Sequence, residues 1–186
     1  ICSEIQMTTR RVDSMNKKER VEAALRGDVV DRVPVSLWGH DFVREWSSQG
    51  LAEAMIEEYM RYDWDYMKVN PRGTFMVEGW GAIYTPSGDA LKAPVFGGSP
   101  IHSSTDWKKL RPLEPDQKTL GEQLHALELI NHVVGFDAYI LQTIFCPLGV
   151  ANYMVGDNKV PVQQSIHEDR RAIHQALRVI TETNIN

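Results

Sequence analysis

Hydrophobic positions along the chain fall at helical spacing in some stretches and in short unbroken runs in others, and the two kinds alternate. Residues 17–27 (KKERVEAALRG) place Val21, Ala24 and Leu25 on one helical face. Asn16 stands where an N-cap belongs, Glu19 follows three residues later as a capping-box partner, and Gly27 is a C-terminal stop. Residues 33–38 (VPVSLW) read as a strand, with Pro34 near its start, where a missing N–H is tolerated. Leu51, Met55, Tyr59 and Met60 then recur at helical spacing, and residues 66–70 (YMKVN) read as a second strand closed by Pro71, Arg72 and Gly73. Leu120, Leu124, Leu127 and Asn131 mark one face of a long helix that Gly135 ends. Residues 138–144 (AYILQTI) are short, continuous and β-prone, the pattern of a strand buried on both faces. A helix is expected to start near Gly149, and another to carry Ile166, Ile173, Leu177 and Ile180.

Residues 74–100 break this rhythm. Glycines and prolines punctuate short β-prone pieces there, from Gly79 to Pro100, which predicts an excursion of one or two hairpins. Residues 105–113 supply a short helical turn. The remaining order is a helix followed by strand–helix three times, which argues for a parallel sheet with helices packed outside it. Three strands are too few to close a barrel, so the pattern is that of part of a larger fold. Residues 1–15 read as a flexible leader, leaving 16–186 as one domain.

Composition narrows the class. The chain has 186 residues, is 42% hydrophobic and 24% charged, and carries a formal net charge of −5. That is the balance of a soluble globular domain without the basic excess that nucleic-acid binding needs. No apolar run approaches a membrane span of about 20 residues. The two cysteines, Cys2 and Cys146, are far apart, which favours reduced thiols and a cytoplasmic setting. His125 and His132, like His167 and His174, are seven apart, too far for a metal pair on adjacent helical turns, and are expected on the surface. The five tryptophans are expected in the core or barrel lining. The FGGSP stretch lacks the Gly-Lys-Ser/Thr of a phosphate loop.

Three segments in order resemble the uroporphyrinogen decarboxylase superfamily: 17–38 (KKERVEAALRGDVVDRVPVSLW), 62–73 (YDWDYMKVNPRG) and 145–157 (FCPLGVANYMVGD). The last, which resembles the family's tyrosine-methionine-glycine signature through Tyr153, Met154 and Gly156, is the most specific. The resemblance implies an α/β fold, a (β/α)8 TIM barrel of which about the first half is present, with its hairpin excursion after the second strand. Active sites of such barrels sit at the C-terminal ends of the strands. Here those ends are 38–41, 70–72 and 145–147, with Tyr153 just beyond.

The resemblance also implies which parts differ. The decarboxylases carry an arginine-rich motif after the first strand for a substrate with many carboxylates. Here that stretch reads WGHDF, with no arginine before Arg44. Where they carry an aspartate for the pyrrole N–H groups, Arg72 stands beside Asn70 and Pro71. Tyr153 matches the family's active-site tyrosine. Tyr153 and His40 are therefore the candidate catalytic residues, and Trp38, Asp41, Lys68, Asn70, Arg72 and Cys146 the candidate substrate-binding ones. The resemblance favours the methyltransferase-like relatives, which act on corrinoid- or thiol-linked substrates such as coenzyme M. Their zinc is bound by the other half of the barrel, and no metal is expected on this chain. A corrinoid protein or a second copy is an expected partner. Tetrapyrrole decarboxylation, and an inactive half-barrel that needs its missing half, are the competing expectations.

Overall fold

A computed structural model describes residues 14–156 and 159–186; most of the expected leader lies outside them. The helix α1 (Lys17–Arg26) begins with both halves of the capping box: the Asn16 side chain accepts from the Glu19 N–H, and the Glu19 carboxylate accepts from the Asn16 N–H. It ends on Gly27 in the left-handed region, φ 75°. Then come α2 (Ser48–Tyr62), β1 (Tyr66–Val69), the short α3 (Phe75–Glu78), the antiparallel pair β2 (Ile83–Thr85) and β3 (Val95–Gly98), and α4 (Lys118–Val134). The chain finishes with β4 (Tyr139–Gln142), α5 (Pro147–Met154), α6 (Lys159–Glu168) and α7 (Arg170–Ile185).

β1 and β4 pair in parallel, Tyr66 opposite Tyr139 and Val69 opposite Gln142. Strand periodicity sends Met67 and Val69 to one face, where both are fully buried. That face packs on α2 and α4 through Leu51, Met55, Tyr59, Ala126 and Ile130. Lys68 points to the opposite face, which would line a barrel. Leu141, its partner in register, remains half-exposed there. A second core joins α3, α5, α6 and α7 around Trp107, whose Nε1 donates to Ser165 Oγ at 2.9 Å. Burying each large apolar side chain contributes about 1.5–3 kcal/mol.

Four expectations need correction. Residues 33–38 form no ladder. Pro34 has no N–H, and the Val35 N–H donates to the Asp65 carboxylate at 2.7 Å instead of to a neighbouring strand. One ladder-like bond remains, from Asp65 N–H to the Val35 carbonyl. The segment thus runs extended beside β1 with Val33, Leu37 and Trp38 exposed. Second, β4 is not buried on both faces. Third, the buried line of α4 is Thr119, Gln123, Ala126, Ile130 and Val134, which leaves Leu124 and Asn131 exposed. Ala126 and Ile130 pack in the core shared with α2 and β1, so tertiary packing overrides the leucine stripe. Fourth, the last expected helix is two, because Asp169 caps α7 by accepting from the Ala172 N–H.

The excursion at 74–100 contains one hairpin, β2–β3, preceded by α3. It is fastened to the end of α5. The Tyr84 hydroxyl donates to the Tyr153 carbonyl at 2.6 Å, and the Phe96 ring lies on Gly156. Gly156 has φ +75°, and a Cβ there would stand 2.6 Å from the Phe96 ring. Both conditions require glycine, which explains physically why glycine stands at 156, two residues after Met154.

Candidate active site

A cleft of about 350 Å³ opens at the C-terminal ends of β1 and β4, beneath the hairpin. Asn70 and Pro71 follow β1; Thr143 and Phe145 follow β4; Tyr153 comes from α5, and Tyr84 and Phe96 from the hairpin. The extended 33–38 segment delivers Trp38, His40 and Phe42 to the same wall. Its placement depends on Asp65, which is fully buried. The Asp65 carboxylate accepts from Arg20 Nη1 at 2.6 Å, Arg32 Nη2 at 2.8 Å and the Val35 N–H. Burial pushes the Asp65 carboxyl up, but these bonds, from Arg32 first, outweigh it and hold its pKa below the usual value.

Five of the expected residues come together here: Trp38, His40, Lys68, Asn70 and Tyr153. His40 is held from behind. Its Nδ1 lies 2.9 Å from Glu45 Oε1, and Glu45 is 2% exposed. Because the Asp41 N–H also donates to that oxygen, Glu45 acts as an acceptor, which places the proton on His40 Nδ1 and leaves Nε2 as the unengaged nitrogen. The ring stacks on Phe42 at 4.4 Å and meets Trp38 edge-on. Lys68 Nζ sits 4.4 Å from the centre of the Trp38 ring, a cation–π contact. Tyr153 stacks on Phe145 at 5.2 Å. Gly73 permits this, since a Cβ there would stand 2.7 Å from the Phe145 ring and 3.1 Å from the Tyr153 hydroxyl.

Asn70 is 3% exposed. Its Oδ1 accepts from Thr143 Oγ1 at 3.1 Å, while its Nδ2 has no partner. An unsatisfied buried donor costs about 1–3 kcal/mol.

The other three expected residues lie outside the cleft lining. Asp41 binds Arg44 at 2.7 Å; burial raises its pKa but the Arg44 contacts outweigh that and lower it. Arg72 is 5% exposed and fully engaged: Nε donates to Glu78 at 3.0 Å, Nη1 to the Glu45 carbonyl at 2.6 Å, and Nη2 lies 3.4 Å from Glu122, with Trp46 against its face. It thus ties the 44–46 turn to α3 and α4. Cys146 is exposed at the start of α5. His125, His132, His167 and His174 are all exposed, as expected. The sequence reading placed Phe145 at a strand end but missed Phe42, Tyr84, Phe96 and Thr143 as cleft residues. The Tyr and Phe of the punctuated 74–100 stretch were the available signal for the hairpin members.

Parallel strands with outer helices and a cleft at their C-terminal ends are the arrangement of part of a (β/α)8 barrel. The chain belongs to the uroporphyrinogen decarboxylase (URO-D) family, whose model matches residues 16–186. It is similar in structure to a methyltransferase from Methanosarcina mazei, with a TM-score of 0.72 and 21% identity. The similarity covers 92% of this chain and 54% of that one, so the chain spans about half the length of that protein. No curated protein matches in sequence. No helix among the described residues is long and apolar enough to cross a membrane.

Proposed function

We propose that this chain forms the substrate-holding half of a methyl-transferring enzyme that acts on a small corrinoid- or thiol-linked substrate. The observation that carries this reading is the state of the cations. A tetrapyrrole with many carboxylates needs several free guanidiniums, yet Arg44 is paired with Asp41 and Glu57, and Arg72 is enclosed by Glu78 and Glu122. Lys68 is the one lysine or arginine in the cleft lining, and its walls are otherwise aromatic and small. Such a site suits one small molecule better than a porphyrinogen. The methyltransferase named above shares the fold and agrees with the reading.

His40, oriented by Glu45, is the proton acceptor through Nε2, and Tyr153 closes the opposite wall. No three His, Cys, Asp or Glu side chains among the described residues gather to hold a metal. What this chain contributes is binding, orientation and exclusion of water.

The test is a comparison of two reactions on the protein. Demethylation of methylcobalamin by an added thiol, followed by its absorbance change, is expected, and His40→Ala should slow it. Conversion of uroporphyrinogen to coproporphyrinogen without methyl transfer would overturn the proposal in favour of decarboxylation.

A further inference from the structure

We infer that the Lys68–Asn70 edge of the cleft is an oxyanion subsite, built to receive the carboxylate or sulfonate end of a small substrate. The inference deepens the reading above and rests on the cleft being the substrate site.

Three independent features converge. The first is charge. Lys68 is the only lysine or arginine in the cleft lining, and that lining contains no aspartate or glutamate. Among the described residues Lys68 makes no ion pair; its charge rests against the Trp38 ring. A cation faced by a π-surface keeps its capacity to bind an anion, which one paired to a carboxylate does not.

The second is the orphaned amide. Thr143 Oγ1, on the neighbouring strand end, lies 3.0 Å from the Val69 carbonyl and 3.1 Å from Asn70 Oδ1, and its one O–H is shared between the two acceptors. The Asn70 Nδ2 donor is buried and without a partner among the described residues. Buried donors are almost always paired, so an unpaired one on a cleft wall marks where a ligand acceptor belongs. The third is strand geometry. Lys68 and Asn70 are two residues apart on β1 and its exit, so both side chains leave the same face of the strand. Lys68 and Asn70 line one cleft and present an ammonium and an unused amide N–H to it, both donors, and the complement of such donors is an oxygen anion.

The surroundings sharpen this. Phe145, Phe96, Phe42 and Trp38 lower the local polarity, which strengthens a charge-assisted bond. Neither Arg72 nor Arg44 competes, because both are held by carboxylates outside the cleft lining.

The experiment uses three probes of matched shape: 4-fluorobenzoate, 4-fluorobenzenesulfonate and neutral 4-fluorobenzamide. Binding to the protein is read by fluorine NMR line broadening, with no need for turnover. At least one acid should bind about tenfold or more tightly than the amide, and the better acid identifies the oxyanion. Lys68→Met should remove that preference, and Asn70→Ala should weaken both acids but not the amide. Lys92→Met, an exposed lysine outside the cleft, should change nothing. Because Asn70 is buried, circular dichroism of each variant accompanies the titration, and Lys68→Met alone suffices if Asn70→Ala unfolds. Equal binding of acids and amide, or an acid preference that survives Lys68→Met, would overturn the inference. The methyl-transfer assay is read separately. Acid binding without methyl transfer would refute the proposed reaction and leave the subsite standing.

Discussion

Asp65 connects the framework to the cleft, and its charge should be measurable in stability. Its carboxylate is fully buried and accepts from two guanidiniums and one backbone N–H. Asp65→Asn keeps the shape, removes the charge, and turns an N–H₂ toward Arg20 or Arg32. Removing one partner from a buried ion pair costs about 3–5 kcal/mol, because the remaining charge stays buried. Arg20 is the relevant partner; its side chain is 6% exposed, against 48% for Arg32. Arg20 keeps Asp31, which places the loss toward the lower end of that range. For a domain of this size each kcal/mol shifts the melting temperature by about 2–4 °C, so a fall of about 6–12 °C is expected. The control lies two residues away. Asp63 is exposed on the same turn, pairs with Lys17, and has φ 49°, a conformation asparagine tolerates. Asp63→Asn should therefore cost under about 1 kcal/mol. The pH dependence adds a sign. The folded pKa of Asp65 is depressed, so its contribution is complete above the unfolded value of about 3.9 and is lost as pH falls through the folded pKa. The gap between wild type and Asp65→Asn should thus be widest near neutrality and shrink below about pH 4. Thermal melts by circular dichroism across that range provide the assay. An Asp65→Asn protein that melts with Asp63→Asn at pH 7 would refute the reasoning.

Two further outcomes are expected. Gly156→Ala meets both a left-handed backbone and a Cβ 2.6 Å from Phe96, so it should destabilise by about 1–3 kcal/mol in urea titration. Adding Phe96→Ala should recover the steric part only, and a fully additive double mutant would argue against the contact. Burial and the bond to Asp137 push the Tyr59 phenol up to about 12, against the opposing effect of Lys17. Because the folded pKa lies above the unfolded one, this contribution is complete below about pH 10 and is lost as pH rises toward 12. Ultraviolet titration should show a late-ionising phenol that is missing in Tyr59→Phe.

Local chemistry made much of the fold readable. The Asn16–Glu19 box and Gly27 fix α1 within one turn at each end, and each depends only on residues a few positions apart. The strand ends were readable because alternation of apolar runs and helical stripes locates them, and Trp38, His40, Lys68, Asn70 and Tyr153 do converge. What the sequence hid was nonlocal. Residues 33–38 have the composition of a strand, but a strand also needs a partner ladder, and Val35 is satisfied by a side chain instead. Arg72 looked available because Glu78 and especially Glu122, fifty residues away, enter only through the fold. The leucine stripe of α4 misled because packing against α2 and β1, through Ala126 and Ile130, decides which face is buried.

The fate of the arginines links ancestry to chemistry. Family membership fixes the barrel and where its strands end, but the side chains at those ends are free to change task. Arg72 occupies a strand end, where a cation would face a substrate. Its carboxylate partners convert it into a brace between the 44–46 turn, α3 and α4. With the guanidiniums withdrawn into the framework, Lys68 has no carboxylate partner among the described residues, and Asn70 in the same cleft lining keeps an N–H with no partner among them. The proposed subsite would discriminate by the number of anionic groups as much as by shape. One oxyanion finds one ammonium and one amide, whereas a molecule bearing several leaves all but one unpaired against aromatic walls. On the proposed reading, the pairing of Arg44 and Arg72 disfavours polycarboxylate substrates, whose further charges would lack partners among the described residues of the cleft, while the Lys68–Asn70 edge favours a small monoanion.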